Sequence, residues 1–401
     1  RQCGYNGDCT EFYLIAYQDG IIYAMNYHPR YLDCFLRTQN FMLTGNGPLP
    51  YDYRYYIGIM AAARHKCSYI VNKMKEEFLL QGGKEEWLTS FESIPQKLQN
   101  LNTINKILAH QPWTITKDHI SELLVGPYSW TVSEIVHALV LLAHFHNLPS
   151  FVWGCGIDDN ITCKDSNDQS INSVNSGGEE GGSVQYLMER MKSISENSDK
   201  KLKEDSLKTF ESVVSSQDLG VQSHGTDVSK DVQMFVRDSL FCYQDFAKRN
   251  EPSSFSTLRI QDYCWEEHAF SLICELYNDV GILLDEKFKL SYSLTYYTMG
   301  PEKGVDTSFF RRAVWNYVHC LFGVRHDDYN YQEVNTLITR PLKTFIKIVC
   351  CFPEKIRKSD MDMVMPEFKY SEKIHVLLMV MEARLQAELL YSLRVLMQYR
   401  T

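Results

Sequence analysis

From Asp158 to about Lys230 the chain is too polar to build a core, and this stretch constrains everything on either side of it. It is rich in Ser, Asn, Asp, Gly and Lys, residues 175–182 read NSGGEEGG, and no aromatic occurs between Trp153 and Tyr186. Such a stretch cannot bury enough apolar surface to offset its ordering entropy. It reads as a disordered linker over 158–230, carrying one short helix around Tyr186 to Ile194. The sequence therefore predicts an N-terminal domain over 1–157 and a C-terminal domain over 231–401, each of ordinary size. Across the 401 residues, 44% are hydrophobic and 23% charged, which is globular usage and rules out a wholly disordered or fibrous chain.

Outside the linker, apolar residues recur at helical steps. Met60, Ala63, Cys67, Ile70, Val71, Met74 and Phe78 form one stripe, predicting a helix over 56–80 stopped by Gly82 and Gly83. A second helix is predicted over 132–147, ended by Pro149. Asp306 and Thr307 look like a helix start for 309–324. Ser371 looks like the start of a long final helix to about Arg400. Strand alternation is sparse, so the fold class is all-α, in two helical bundles. Cys67 in RHKCSYIV and Cys320 in NYVHCLFGVRH both sit in helical patterns, a faint sign of internal duplication. The most apolar window, 135–157, contains His137, His144, His146 and Pro149 and reads as a buried helix plus a loop rather than a membrane span.

The formal charge of −9 argues against a strongly basic nucleic-acid binder. Twelve scattered cysteines, with no CxxC and no paired Cys/His spacing, give no structural zinc and no metal site. So many free thiols fit a reducing compartment, and the expected location is the cytoplasm, with the nucleus as a further compartment. No signal peptide is visible, and no motif indicates a nucleotide, flavin or other cofactor.

Three groups of residues could carry chemistry. Cys67 follows Arg64, His65 and Lys66, cations that would lower a thiol pKa, with Tyr69 beside it. Position 74, one helix face further on, is Met and can move no proton. Cys67 equally suits a small apolar place in a helix stripe. Thr295, Tyr296, Thr298, Thr307, Arg311 and Glu372 offer one acid, one planar cation and hydroxyls, the set a free amino acid needs around an apolar slot. From spacing alone they need not converge, and Glu372 also suits ordinary helix-start chemistry. His144 with His146, and Cys320 with His326, read mainly as packing. The run Arg325 to Tyr331 reads as an acidic, aromatic loop. It is either a partner contact with Tyr anchors or a solvated turn.

These stretches together resemble one family. HPRYL (28–32), GPLP (47–50), AAARHKCSYIVN (61–72), ILAHQPWTITKDHI (107–120) and HALVLLAHFHNLPSFVWGCGI (137–157) match in the first half. DEKF (285–288), SLTYYT (293–298), VDTSFFRRAVWNYVHCLFGVRHDDYNY (305–331) and SEKIHV (371–376) match in the second. In order and spacing they resemble the sestrins, stress-inducible cytosolic proteins. The resemblance covers nearly all of 21–157 and 231–401. It implies two similar helical domains related to the alkylhydroperoxidase AhpD fold. It also implies a leucine sensor that binds GATOR subcomplex 2 when leucine is low and so restrains TOR complex 1.

The resemblance assigns roles residue by residue. Glu372 would hold the leucine ammonium and Arg311 its carboxylate, with Thr295, Thr298 and Thr307 as hydroxyl partners and Tyr296 beside the site. His28 would reach across from the first domain. Met365 stands where the family has a tryptophan lining the side-chain pocket, and Phe310 where it has a leucine-like residue. Asp327 and Asp328 would contact the GATOR partner, with Asn330 replacing an acidic residue. Cys67 would be a peroxidatic cysteine and Tyr69 its partner. Met74 stands where the family has a histidine, which weakens the alternative reading as an alkyl hydroperoxide reductase. A third reading is a constitutive TOR inhibitor that has lost leucine sensing.

Overall fold

The computed structural model describes residues 19–157, 184–197, 206–215, 230–246, 257–295 and 297–400. The fold is all-α, with four two-residue strands among the described residues. The longer helices are α1 (Pro29–Thr44), α2 (Tyr51–Arg64), α3 (Ser68–Leu80), α4 (Asn102–His110) and α5 (Val132–Gly154). They continue with α6 (Val184–Asn197), α7 (Ser206–Ser215), α8 (Asn278–Ser291), α9 (Ser308–Leu321), α10 (Arg340–Cys351) and α11 (Tyr370–Arg400). The strands pair as β1 (Leu258–Arg259) parallel to β4 (Val324–Arg325), and β2 (Thr298–Met299) antiparallel to β3 (Glu302–Lys303).

Helices α5 and α11 are the central pair. They run against each other, with α2 packed on α5, α3 on α2, and α9 on α11. Helix α8 of the second half lies on α1 of the first. One continuous apolar cluster therefore spans both halves. Polar groups cross this interface inside the core. Arg384 of α11 gives hydrogen bonds to Ser150 Oγ at 3.0 Å, the Ala109 carbonyl at 2.9 Å and His65 Nε2 at 2.8 Å. His146 meets Glu388 at 2.9 Å and Asn105 at 2.8 Å.

Two helix predictions need correction. The stripe over 56–80 is two helices, because Lys66 adopts φ +55° and Cys67 becomes the N-cap of α3. The stripe persists because Ala63, Cys67, Ile70, Val71, Met74 and Phe78 stay buried on both sides of the break. Helix α3 does stop at the glycines, where Gly82 takes φ +83° and Gly83 N–H reaches the Phe78 carbonyl at 2.9 Å. Helix α5 continues through Pro149 to Gly154. A proline inside a helix costs about 3 kcal/mol. Burial of nearly every α5 side chain outweighs that. Thr131 and Glu134 cap its start reciprocally, at 3.2 and 2.7 Å. By length and composition α5 could cross a membrane, and here it is wholly inside the protein.

Within the polar segment, α6 agrees with the predicted helix and α7 is a second one. Val184, Leu187 and Met191 of α6 and Phe210 and Val213 of α7 are buried. Apolar residues three or four apart supply the stripe that the average composition hides. Residues 158–183, 198–205 and 216–229, the rest of the expected disordered linker, lie outside the described residues.

Candidate functional site

The polar set of the second half converges. Thr295, Thr298, Thr307, Phe310, Arg311, Phe368, Glu372 and His375 border one cavity, closed on its apolar side by Met299, Val376 and Met379. Its free space is about 10 Å³, roughly the room of one water. Tyr296 lies outside the described residues.

Glu372 sits in the first turn of α11, where the helix dipole favours an anion, and it is buried. Its Oε2 accepts from Gly300 N–H at 2.8 Å and Lys369 N–H at 2.9 Å. Among the described residues its Oε1 is buried with no hydrogen-bond partner. Such an atom costs on the order of 1–3 kcal/mol unless a ligand supplies a donor. Gly300 must be glycine here, because at φ +60° a Cβ would stand 2.7 Å from the Glu367 carbonyl.

Arg311 is the buried cation of the site. Its Nε donates to Thr307 Oγ1 at 3.1 Å, and its Nη1 donates to the Tyr292 carbonyl. Thr307 Oγ1 donates in turn to the Thr295 carbonyl at 3.2 Å. His375 Nε2 must donate to the Ser291 carbonyl at 2.7 Å, so its Nδ1 accepts from Thr295 Oγ1 at 2.6 Å. Burial lowers the His375 pKa to about 3 and keeps the ring neutral.

His28 reaches this site from the first half. Its Nε2 donates to the Ser371 carbonyl at 2.7 Å, one residue before Glu372. Its ring also packs 5.9 Å from His375. Met365 is buried but does not border the cavity, whereas Phe368 does, with its ring 5.8 Å from Phe310. Reasoning from sequence did not single out Phe368, Val376 or Met379. The last two face inward one and two turns after Glu372, a spacing that could have found them.

The acidic loop differs from its sequence reading. Tyr329 and Tyr331 are buried, not presented as anchors, and Tyr331 Oη accepts from His326 N–H at 2.8 Å. Asp327 is engaged: Oδ2 accepts from Arg259 Nε at 2.7 Å and Oδ1 from Arg325 Nε at 2.5 Å. These bonds tie β1 to β4 and hold its carboxyl below the usual range against the opposing effect of burial. Asp328 and Asn330 are exposed.

Cys67 is 1% exposed. Two of the three cations expected to activate it are occupied elsewhere. Burial keeps His65 neutral while it accepts from Arg384, and Arg64 donates to the carbonyls of Arg237 and Phe241, both at 2.7 Å. Tyr69 Oη donates to Asp19 Oδ1 at 3.0 Å. Met74 is buried against α2. Among the described cysteines, alkylation should therefore modify exposed Cys242 first and Cys67 on the order of 100-fold more slowly. Mass-spectrometric labelling rates check this. Among the described residues Cys264, Glu267 and His268 cluster. Cys264 Sγ accepts from Glu267 N–H at 3.4 Å, so the cluster is helix-start capping.

Comparison with known proteins gives a consistent result. A family model described as PA26 p53-induced protein (sestrin) matches residues 9–400. The chain is 43% identical to the Sestrin homolog of Drosophila melanogaster, over 96% of this chain and 93% of that one. It is 46% identical to Sestrin-3 of Mus musculus, over 96% and 85%. It is 43% identical to Sestrin-2 of Homo sapiens, over 96% and 84%.

Proposed function

Because the chain belongs to the sestrin family, we propose that it is a cytoplasmic leucine sensor that binds GATOR subcomplex 2 when leucine is low and restrains TOR complex 1. One observation carries the reading: a buried carboxylate oxygen of Glu372 without a partner borders the same cavity as buried Arg311. A zwitterion needs both charges met, or desolvation outweighs binding. Glu372 would hold the ammonium, Arg311 with Thr307 and Thr295 the carboxylate, and Phe310, Phe368 and Met379 the aliphatic side chain.

The cavity is contracted, so leucine must displace the Phe368 segment or the β2–β3 hairpin to enter. Both segments also hold Glu372, through Lys369 and Gly300. Binding would thus move the first turn of α11 and, through the hydrogen bond to Ser371, His28 of the first half. Signalling requires leucine to bind the open and closed states unequally. Asp328 and its neighbours would present the partner surface, with Asp327 fixing the loop.

The small cavity and the ring of Phe310 also favour a second reading, a TOR inhibitor that does not respond to leucine. Thermal midpoints with leucine, methionine and isoleucine separate the two. Leucine at a hundred times its Kd should stabilise the fold by about 2.7 kcal/mol, a rise of a few degrees. A rise with methionine alone means a retuned slot. No rise with any of them at millimolar ligand overturns the sensor reading.

A further inference from the structure

A second, larger cavity lies where the ends of α2, α4 and α10 meet the segment 232–242. It measures about 240 Å³ and is bordered by Arg64, Lys66, His110 and Glu354, with an apolar side that includes Val236 and Phe352. From this we propose a binding site for a small organic anion, a carboxylate or a phosphate monoester, carrying a short apolar tail.

The argument begins with Arg64. It is 6% exposed and makes no ion pair among the described residues, since Asp238 nearby is taken by Lys106 at 2.6 Å. Its Nη atoms bond only to neutral carbonyls, and its Nε is buried without a partner. Arg54 shows how an arginine that only organises a loop is used. All three of its nitrogens donate to carbonyls, those of Leu43, Gly45, Gly47 and Leu49. Arg64 is incompletely used by comparison, and a buried cation without a counter-ion attracts an anion.

His110 points the same way independently. It is 7% exposed, borders the cavity, and has no hydrogen bond on its ring; Nδ1 is fully buried and unpartnered. Its ring is fixed against His65 at 5.1 Å and Phe241 at 6.2 Å. A neutral imidazole can donate to an oxyanion without adding a second buried charge. Glu354 is the opposing group. It faces Lys66 loosely at 3.9 Å, and burial raises its pKa, so it weakens the positive field without cancelling it. The Lys66 side chain is 44% exposed and can swing towards an incoming head group. The apolar side would take the tail.

The test is titration calorimetry of the full chain with hexanoate, hexyl phosphate and hexylammonium. At least one anion should bind with a Kd near or below about 1 mM, and hexylammonium should not. Hexanoate alone would identify a carboxylate site, hexyl phosphate alone a phosphate ester site, and both a site reading charge. Lys66→Glu, at the half-exposed rim, should weaken binding at least about tenfold by placing a like charge there, with the helical circular dichroism checked alongside. Val236→Trp should fill the cavity and remove binding, with the helical circular dichroism retained. No binding of either anion at about 10 mM, equal binding of hexylammonium, or unchanged binding to Lys66→Glu would each overturn the proposal.

Discussion

Glu372→Gln is expected to weaken leucine binding at least about 100-fold while leaving the unliganded fold as stable as before, or more so. The two effects separate because the two oxygens do different work. Oε2 holds Gly300 N–H and Lys369 N–H, and a glutamine carbonyl can accept both. Oε1 faces the cavity without a partner. In the empty protein that charge is a desolvation cost, and the neutral amide relieves it. With ligand present, the amide leaves an ammonium buried without its counter-charge, a loss of about 2–5 kcal/mol. Calorimetric titration with leucine and the thermal midpoint without it measure the two sides. Leucine affinity within tenfold of the parent, or a fold markedly destabilised in the absence of ligand, would show that Glu372 is only helix-start chemistry.

How far the site was legible in the sequence depends on what each residue does. Glu372, Arg311 and the threonines were legible because a zwitterion site needs those types, and the family resemblance supplied their pairing. Their convergence was not legible, since Thr295 and Glu372 lie far apart in the chain and only the packing of α8, α9 and α11 brings them together. Asp327 looked like a surface acid because the arginines that hold it, Arg259 and Arg325, sit on strands of two residues. Such short strands carry no alternation. The helical regions over 56–80, 132–147, 309–324 and 371–400 were legible from period, whereas α1, α4, α7, α8 and α10 were not singled out. The break at Lys66 was missed because a single left-handed residue leaves an apolar stripe in phase across it. Pro149 misled for the opposite reason, since a local rule was outweighed by complete burial.

Lowering the pH from 7.5 to 5.5 is expected to destabilise the fold by roughly 7 kcal/mol net, enough to unfold an ordinary domain. The cause is the number of histidines buried without charge. His65, His110, His144 and His319 have pKa values pushed well below the usual range, in each case first by burial. His137 and His375 fall to about 3 and His326 to about 4 for the same reason. A group whose folded pKa is depressed contributes stability above its unfolded pKa, here about 6.5, and loses it as the pH falls towards the folded value. At pH 5.5 each such histidine costs about 1.4 kcal/mol, and the seven together cost roughly 10 kcal/mol. Glu388 acts in the other direction. Burial raises its pKa to about 8, so its contribution is present below about 4.5 and lost as the pH rises through about 8. It offsets about 2–3 kcal/mol across this interval, and the histidines prevail by number. Proton uptake on unfolding measures the balance, by calorimetry at pH 5.5 in buffers of different ionisation enthalpy. About five or more protons should be bound per chain unfolded. Uptake of one or none would mean that these imidazoles are charged in the folded core, and that the neutral His375 on which the cavity's hydrogen bonding rests is wrongly drawn.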